Sequence, residues 1–448
     1  MDVMMSGFRG RLIAVGALAL AAACGSDTTG PDTTAPAEVA APAKAAAGDA
    51  QDARFNAIEA ALAAEVDAGV RAGFVGMVFE NGEVAYETAL GMADREAGVA
   101  MSLDTRFRIA SMTKPVVSVA ALMLVDDGAL SLDDPLSDFI PEFAEMDVAT
   151  SLSANEDGEI PTEPIATPIA IRHLMTHTSG LGYVFDEETD VGRVYQQRNL
   201  YEGEGDLAAR VLRLADAPLY AQPGTRWYYS YATDVLGRVV EIVSEQRLEE
   251  FVETRILRPL GMSKTSFGVR AEDFAGGDVA MVYAHDEAGA LVPQDGGGLS
   301  QNLSEGLGWA SGGSGLVSTA GDYMKFCRML LSGGRGPKGA QLLSEAGVAS
   351  LFDSQVSTDA RPQDWRERGV SFSLGGWVVL ANPTDPEDDA TTGLFGWGGY
   401  YDTDFAVNRT TNAAHVVLSQ RQPGPHDRPS RAHAVFRSTL YGADPFAE

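Results

Sequence analysis

At 448 residues, 45% hydrophobic and 21% charged, the chain can bury a large core as one big domain or two closely joined ones, and this composition excludes a largely disordered protein. A formal net charge of −30 excludes docking on nucleic acid or anionic lipid through a basic face, because no cationic cluster is present to neutralise phosphates. With only two cysteines, Cys24 and Cys327, a disulfide framework is excluded as well.

Arg9 and Arg11 precede the apolar run LIAVGALALAAA, which reads as an export signal and is too short to span a membrane. Ala21, Ala22 and Ala23 before Cys24 resemble a bacterial lipoprotein processing site. Residues 1–23 are therefore expected to be a signal peptide and Cys24 a lipidated first residue. That places the protein in the periplasm or at the cell surface, with ordinary cleavage nearby as the alternative. Residues 24–52 are rich in Ala, Pro, Thr and Asp, a composition suited to a flexible tether.

The folded region is expected from residue 53. Phe55, Ile58, Leu62 and Val66 have helical spacing, and GFVGMVFENGEVAYETALG then reads as two strands joined at Asn81-Gly82. Next comes RFRIASMTKPVVSVAALMLVDDG, residues 106–128, where an extended segment becomes a helix. Ser111 and Lys114 stand three apart, a spacing that puts both side chains on one helix face and the amine within reach of the hydroxyl. Pro115 belongs in a first helical turn, so Ser111 sits at the N-terminal end, where free N–H groups and the helix dipole favour a developing anion. Of five lysines only Lys114 follows a serine by three positions. The bland alternative is a helix cap beside a surface lysine.

The stretch around 150–168 reads as a surface insertion. Helical patterns follow at 169–181, 207–216, 233–257 and 319–334, the last containing Cys327, which suits a buried small hydrophobe. His173 and His177 have a metal-ligand spacing but no third ligand, so no metal is expected, and no glycine-rich phosphate loop suggests a nucleotide. In QPGTRWYYSYATDVLG, a Pro-Gly turn makes Tyr229 project from a tight loop, as a proton relay or as part of an aromatic anchor with Trp227, Tyr228 and Tyr231. In LFGWGGYYDTDF, Gly398 and Gly399 beside Trp397 permit close approach of a backbone or ligand. A second hairpin at 401–420 and a helix at about 429–441 close the chain. Two hairpins from opposite ends, each bracketed by a terminal helix, suggest one antiparallel sheet assembled from both termini. The fold class is α+β: about 53–115 and 305–448 form the sheet and its flanking helices, and about 116–304 form a large, mainly helical insertion.

FRIASMTK, LMTHTSGL, PGTRWYYS, ILRPLGMSKTSF and GGSGLVSTAGDYMKF, in this order, resemble the serine β-lactamase and penicillin-binding-protein-like superfamily, specifically its class C-like branch with family VIII carboxylesterases and D-amino-acid peptidases. The resemblance runs from about residue 55 to 440. It implies an active site in the groove between sheet and helical part, with Ser111 as nucleophile, Lys114 as its partner and Tyr229 as general base and later acid. The oxyanion hole would be the N–H groups of Ser111 and Tyr400, and Trp397, Gly398, Gly399 and Tyr231 would bind substrate. Two positions depart from the β-lactamase pattern: Tyr231 replaces an asparagine, and Trp397 replaces a lysine or histidine that assists carboxylate recognition. An aromatic wall in place of a cation suits a neutral or aryl ester. The expectation is therefore a cofactor-free serine hydrolase acting on small esters, its partners a small-molecule ester or amide and the lipid anchor at Cys24. A D-amino-acid peptidase or amidase, a weak β-lactamase, or a non-catalytic cell-envelope binding protein are the alternatives.

Overall fold

Both ends of the described fold meet in one sheet. The computed structural model describes residues 53–268, 277–294, 309–381, 391–424, 426 and 430–446. The expected signal peptide, Cys24 and the tether lie outside the described residues. Among them, helix α1 spans Ala53–Asp67 and strands β1 and β2 span Gly73–Glu80 and Glu83–Asp94. The β1–β2 turn has positive φ at both Asn81 (54°) and Gly82 (90°), as a two-residue turn matching the right-handed strand twist requires. Strand β3 is Val99–Ala100, β4 Val370–Phe372, β5 Trp377–Val379, β6 Leu394–Gly399, β7 Thr403–Asn408 and β8 Ala413–Leu418. All pair antiparallel in the order β4-β5-β6-β7-β8-β1-β2-β3. The join between the chain ends is β1 on β8, with Val75 opposite Leu418 and Met77 opposite Val416.

Strand alternation sorts the side chains into two cores. On one face Phe74, Val78 and Val417 pack with Phe55, Ile58 and Leu62 of α1 and with Phe436 of the closing helix. On the other, Val75, Met77, Val416 and Leu418 join the main core beneath the helical part. Because β1 is covered on both faces, its sequence is apolar from Gly73 to Phe79 rather than alternating.

Helix α2, Thr113–Asp126, runs through the main core and is buried from Thr113 to Leu124. Helix α3, Ala232–Ser244, lies along it, α4, Ala320–Leu331, lies against β8, β1 and β7, and α5, Ala432–Tyr441, packs on α1. The helical pattern over 233–257 does not form one helix. Glu245 caps α3 in the left-handed conformation, φ 56°, and two short helical pieces follow it. The polar run Glu245-Gln246-Arg247 offers the core no side chain, so nothing holds that turn in line with α3.

Candidate active site

Ser111 lies in a tight helical turn, Ala110–Met112, that leads directly into α2. The turn is braced from three sides. The Tyr323 hydroxyl on α4 donates to the Met112 carbonyl at 2.8 Å, the Leu316 N–H donates to Thr113 Oγ1 at 3.0 Å, and Thr403 Oγ1 donates to the Ile109 carbonyl at 3.4 Å. Strand β6 reaches the same turn through Gly399, where a Cβ would stand 2.3 Å from the Ile109 carbonyl oxygen. Only glycine allows that approach. The end of β6 thus brings Gly399, the residue before Tyr400, alongside the turn.

Lys114 is 1% exposed, and its Nζ donates to Ser111 Oγ at 3.3 Å and to the Gly313 carbonyl at 2.9 Å. A surface lysine beside a cap is therefore ruled out. The same ammonium sits 4.6 Å from the Tyr229 ring centre and 5.5 Å from that of Tyr183. Tyr229 Oη is 2.6 Å from Ser111 Oγ. Three groups separated by up to 118 residues therefore meet at one oxygen.

Tyr229 is held from both sides by His177. The His177 carbonyl accepts the Tyr228 N–H at 2.9 Å, and His177 Nδ1 lies 3.0 Å from Ser230 Oγ. His177 adopts φ 54° to do this, and burial, aided by the Lys114 charge, pushes its imidazole well below the ordinary range, so the ring is neutral. His173 makes no common site with it: its Nδ1 accepts the Ala170 N–H at 3.1 Å. The aromatic segment divides its labour. Trp227 anchors the loop against Trp365, ring centres 4.6 Å apart, while Tyr229 faces Ser111.

Three of the residues expected to bind substrate are placed otherwise. Trp397 is 1% exposed, because alternation along an interior strand turns it inward, where it packs on Tyr229 at 5.6 Å and Phe372 at 5.1 Å. It supports the tyrosine and is no wall of an open cleft. Tyr231 is 0% exposed; it precedes α3, packs edge-on against Tyr183 and donates its hydroxyl to Asn199 Oδ1 at 3.1 Å. Gly398, next to Gly399 in the strand, faces the opposite side of the sheet, toward Asp404. The half-buried aromatics beside the turn are instead Tyr400 and Phe185, stacked at 5.8 Å with planes 7° apart.

Sequence reasoning missed Phe185, Gly313 and Asp234. Asp234 carried a usable signal, since it is the one acid within the apolar segment Ala232–Val240. Its carboxylate Oδ1 accepts from Ser311 Oγ at 2.6 Å and from the Gly313 N–H at 3.2 Å.

Comparison with known proteins identifies the family. The profile of the beta-lactamase family matches residues 58–439. Esterase EstB of Burkholderia gladioli is 34% identical over 360 residues, covering 78% of this chain and 85% of the esterase. Lovastatin esterase of Penicillium rubens is 32% identical over 384 residues, covering 80% and 91%. The structure of EstCE1, a hydrolase with promiscuous acyltransferase activity, superposes with a TM-score of 0.70 at 27% identity, over 87% of this chain and 98% of that one. The chain belongs to the beta-lactamase family, in the branch of serine enzymes that includes esterases.

Proposed function

We propose that the protein hydrolyses small carboxylic esters through an acyl-enzyme on Ser111. The observation that carries this reading is the approach of two proton-handling groups to one hydroxyl oxygen, Tyr229 Oη at 2.6 Å and Lys114 Nζ at 3.3 Å. Attack requires one of the three to start a proton short. The Lys114 ammonium stands 4.6 Å from the Tyr229 ring centre, beside the oxygen that takes the Ser111 proton. As Ser111 Oγ bonds to the ester carbon, its proton passes to Tyr229 Oη, and the carbonyl oxygen becomes an oxyanion held by the N–H groups of Ser111 and Tyr400. The carbon–oxygen bond to the leaving group then breaks, and Tyr229 returns the proton to the departing alkoxide. Water repeats the sequence on the acyl-enzyme and frees the acid.

Support for an ester comes from the relatives named as esterases and from the residues at the site. The half-buried Phe185–Tyr400 stack offers an apolar surface beside the serine turn. Purified protein should cleave p-nitrophenyl butyrate faster than a chromogenic cephalosporin or a D-alanyl peptide. A faster cephalosporin would replace the ester reading with the lactamase one. Ser111→Ala should abolish both hydrolysis and labelling by a fluorophosphonate, and labelling that persists on another serine would remove Ser111 as nucleophile. We further propose export with a lipid on Cys24, resting on the residue 9–24 pattern; labelled palmitate should enter the wild type and not Cys24→Ser.

A further inference from the structure

Asp234 takes no part in the proton transfers above, yet a fully buried carboxylate is costly and demands a partner. It is 0% exposed in the first turn of α3, with Oδ1 bonded to Ser311 and the Gly313 N–H and with Oδ2 buried without a hydrogen-bond partner. Gly313 therefore places its N–H on the carboxylate and its carbonyl on the Lys114 ammonium. No side chain fits at 313, since a Cβ would stand 2.6 Å from Asp234 Oδ2.

Apart from Tyr229, whose ring stands 4.6 Å from Lys114 Nζ, the other titratable groups around the pair carry no charge. Burial pushes the phenols of Tyr183, Tyr201 and Tyr231 well above their ordinary range and His177 well below its own. Burial also raises the Asp234 carboxyl, opposed by the Ser311 hydrogen bond, the Lys114 charge and the Gly313 N–H. Among the groups facing it, Lys114 is the cation that answers Asp234.

We propose that Asp234 is the positioning residue of this site: its buried carboxylate supplies the counter-charge to the Lys114 ammonium and, through Ser311 and Gly313, fixes the carbonyl that aims Nζ at Ser111. The proposal rests on the acyl-enzyme reading. Asp234→Asn keeps the shape and an acceptor oxygen while removing the charge. It should lower kcat for p-nitrophenyl butyrate at least tenfold, leave KM within about twofold, and move the alkaline limb of kcat/KM to lower pH by about one unit, because a buried ammonium without its counter-charge loses its proton more readily. Ser311→Ala retains the charge and should leave that limb in place. An Asp234→Asn profile that is unchanged, or scaled down with the limb unmoved, overturns the proposal.

A second measurement does not depend on activity or on the fold of Asp234→Asn alone. Lys114→Met strands the carboxylate, so Lys114→Met/Asp234→Asn should melt several degrees above Lys114→Met. A double variant melting at or below Lys114→Met refutes the pairing. Failure of the ester reading would show instead in wild-type protein that neither labels at Ser111 nor turns over an ester.

Discussion

Ala110, the residue before the nucleophile, holds φ at 43°, a left-handed conformation that costs a side-chain-bearing residue on the order of 1–3 kcal/mol. The braces from Tyr323, Thr113 and Thr403 keep it there, and the consequence is a serine whose direction is set by backbone rather than by a free rotamer. Two side-chain substitutions test the site at this scale. Tyr229→Phe keeps the ring packed on Trp397 while removing the oxygen 2.6 Å from Ser111, so kcat/KM for an ester should fall about a hundredfold or more with the melting temperature nearly unchanged. Trp397→Lys restores the cation of β-lactamase relatives at a position that is 1% exposed. An ammonium placed among Tyr229 and Phe372 lacks a partner, so stability should drop by about 3 kcal/mol or more in a denaturant titration, without the gain in carboxylate recognition that the motif comparison suggests.

Helix α5 is locked to the sheet by charge as well as by Phe436. Arg437 donates to Asp404 at the start of β7 at 3.0 Å and to Asp444 at 2.6 Å, all three nearly buried. Arg437→Met should remove the counter-charge of both carboxylates and cost about 3–5 kcal/mol, read as a lower urea midpoint. At this scale the chain was largely readable. Local periodicity and turn chemistry announced α1, the β1–β2 hairpin, the β7–β8 hairpin and α5, because each is closed by contacts a few residues apart. The break at Glu245 was not readable, since the apolar pattern resumes at Leu248 and only the packing shows that the axis has turned. Ser111, Lys114 and Tyr229 could be named from their motifs, whereas Trp397 and Tyr231 could not be placed: whether an aromatic faces a cleft or a core depends on which strand and which face the fold assigns it. The link from Asp234 to Lys114 passes through a main-chain carbonyl, and no side-chain pattern encodes that.

Across the whole molecule, stability should depend on pH in two stages. Burial holds His177 and His415 below the ordinary imidazole range, in His415 outweighing its contact with Asp404. Below about pH 6.5 the unfolded chain therefore takes up protons that the folded chain refuses, and stability falls by about 1.4 kcal/mol per pH unit for each such histidine. Burial opposes ionisation of Asp402 and Asp404 too, but the charges of Arg71, Arg421 and His433 around the first, and of Arg437 with the His415 hydrogen bond around the second, hold both carboxyls well below the usual range. Their contribution is complete above about pH 4 and is lost below it. Asp234, raised, works in the opposite sense over the intermediate range. Denaturant midpoints measured from pH 8 to 3 should be level at first, decline from about 6.5 and steepen below 4; a level curve between 6.5 and 4.5 would contradict neutral buried histidines.

The seam between β1 and β8 also sets a timetable. Ser419 Oγ, just past β8, donates to the Gly73 carbonyl across 346 residues of chain. At about 5–20 residues per second, a ribosome takes about 20–70 s to cover that interval. Throughout it the first hairpin exists with one strand that is apolar on both faces and has an unfilled edge. Its neighbour in the finished sheet is among the last segments to be made. The birth order of the chain and the assembly order of its central sheet are thus inverted, and that apolar edge stays without its native partner until residues 413–418 are made.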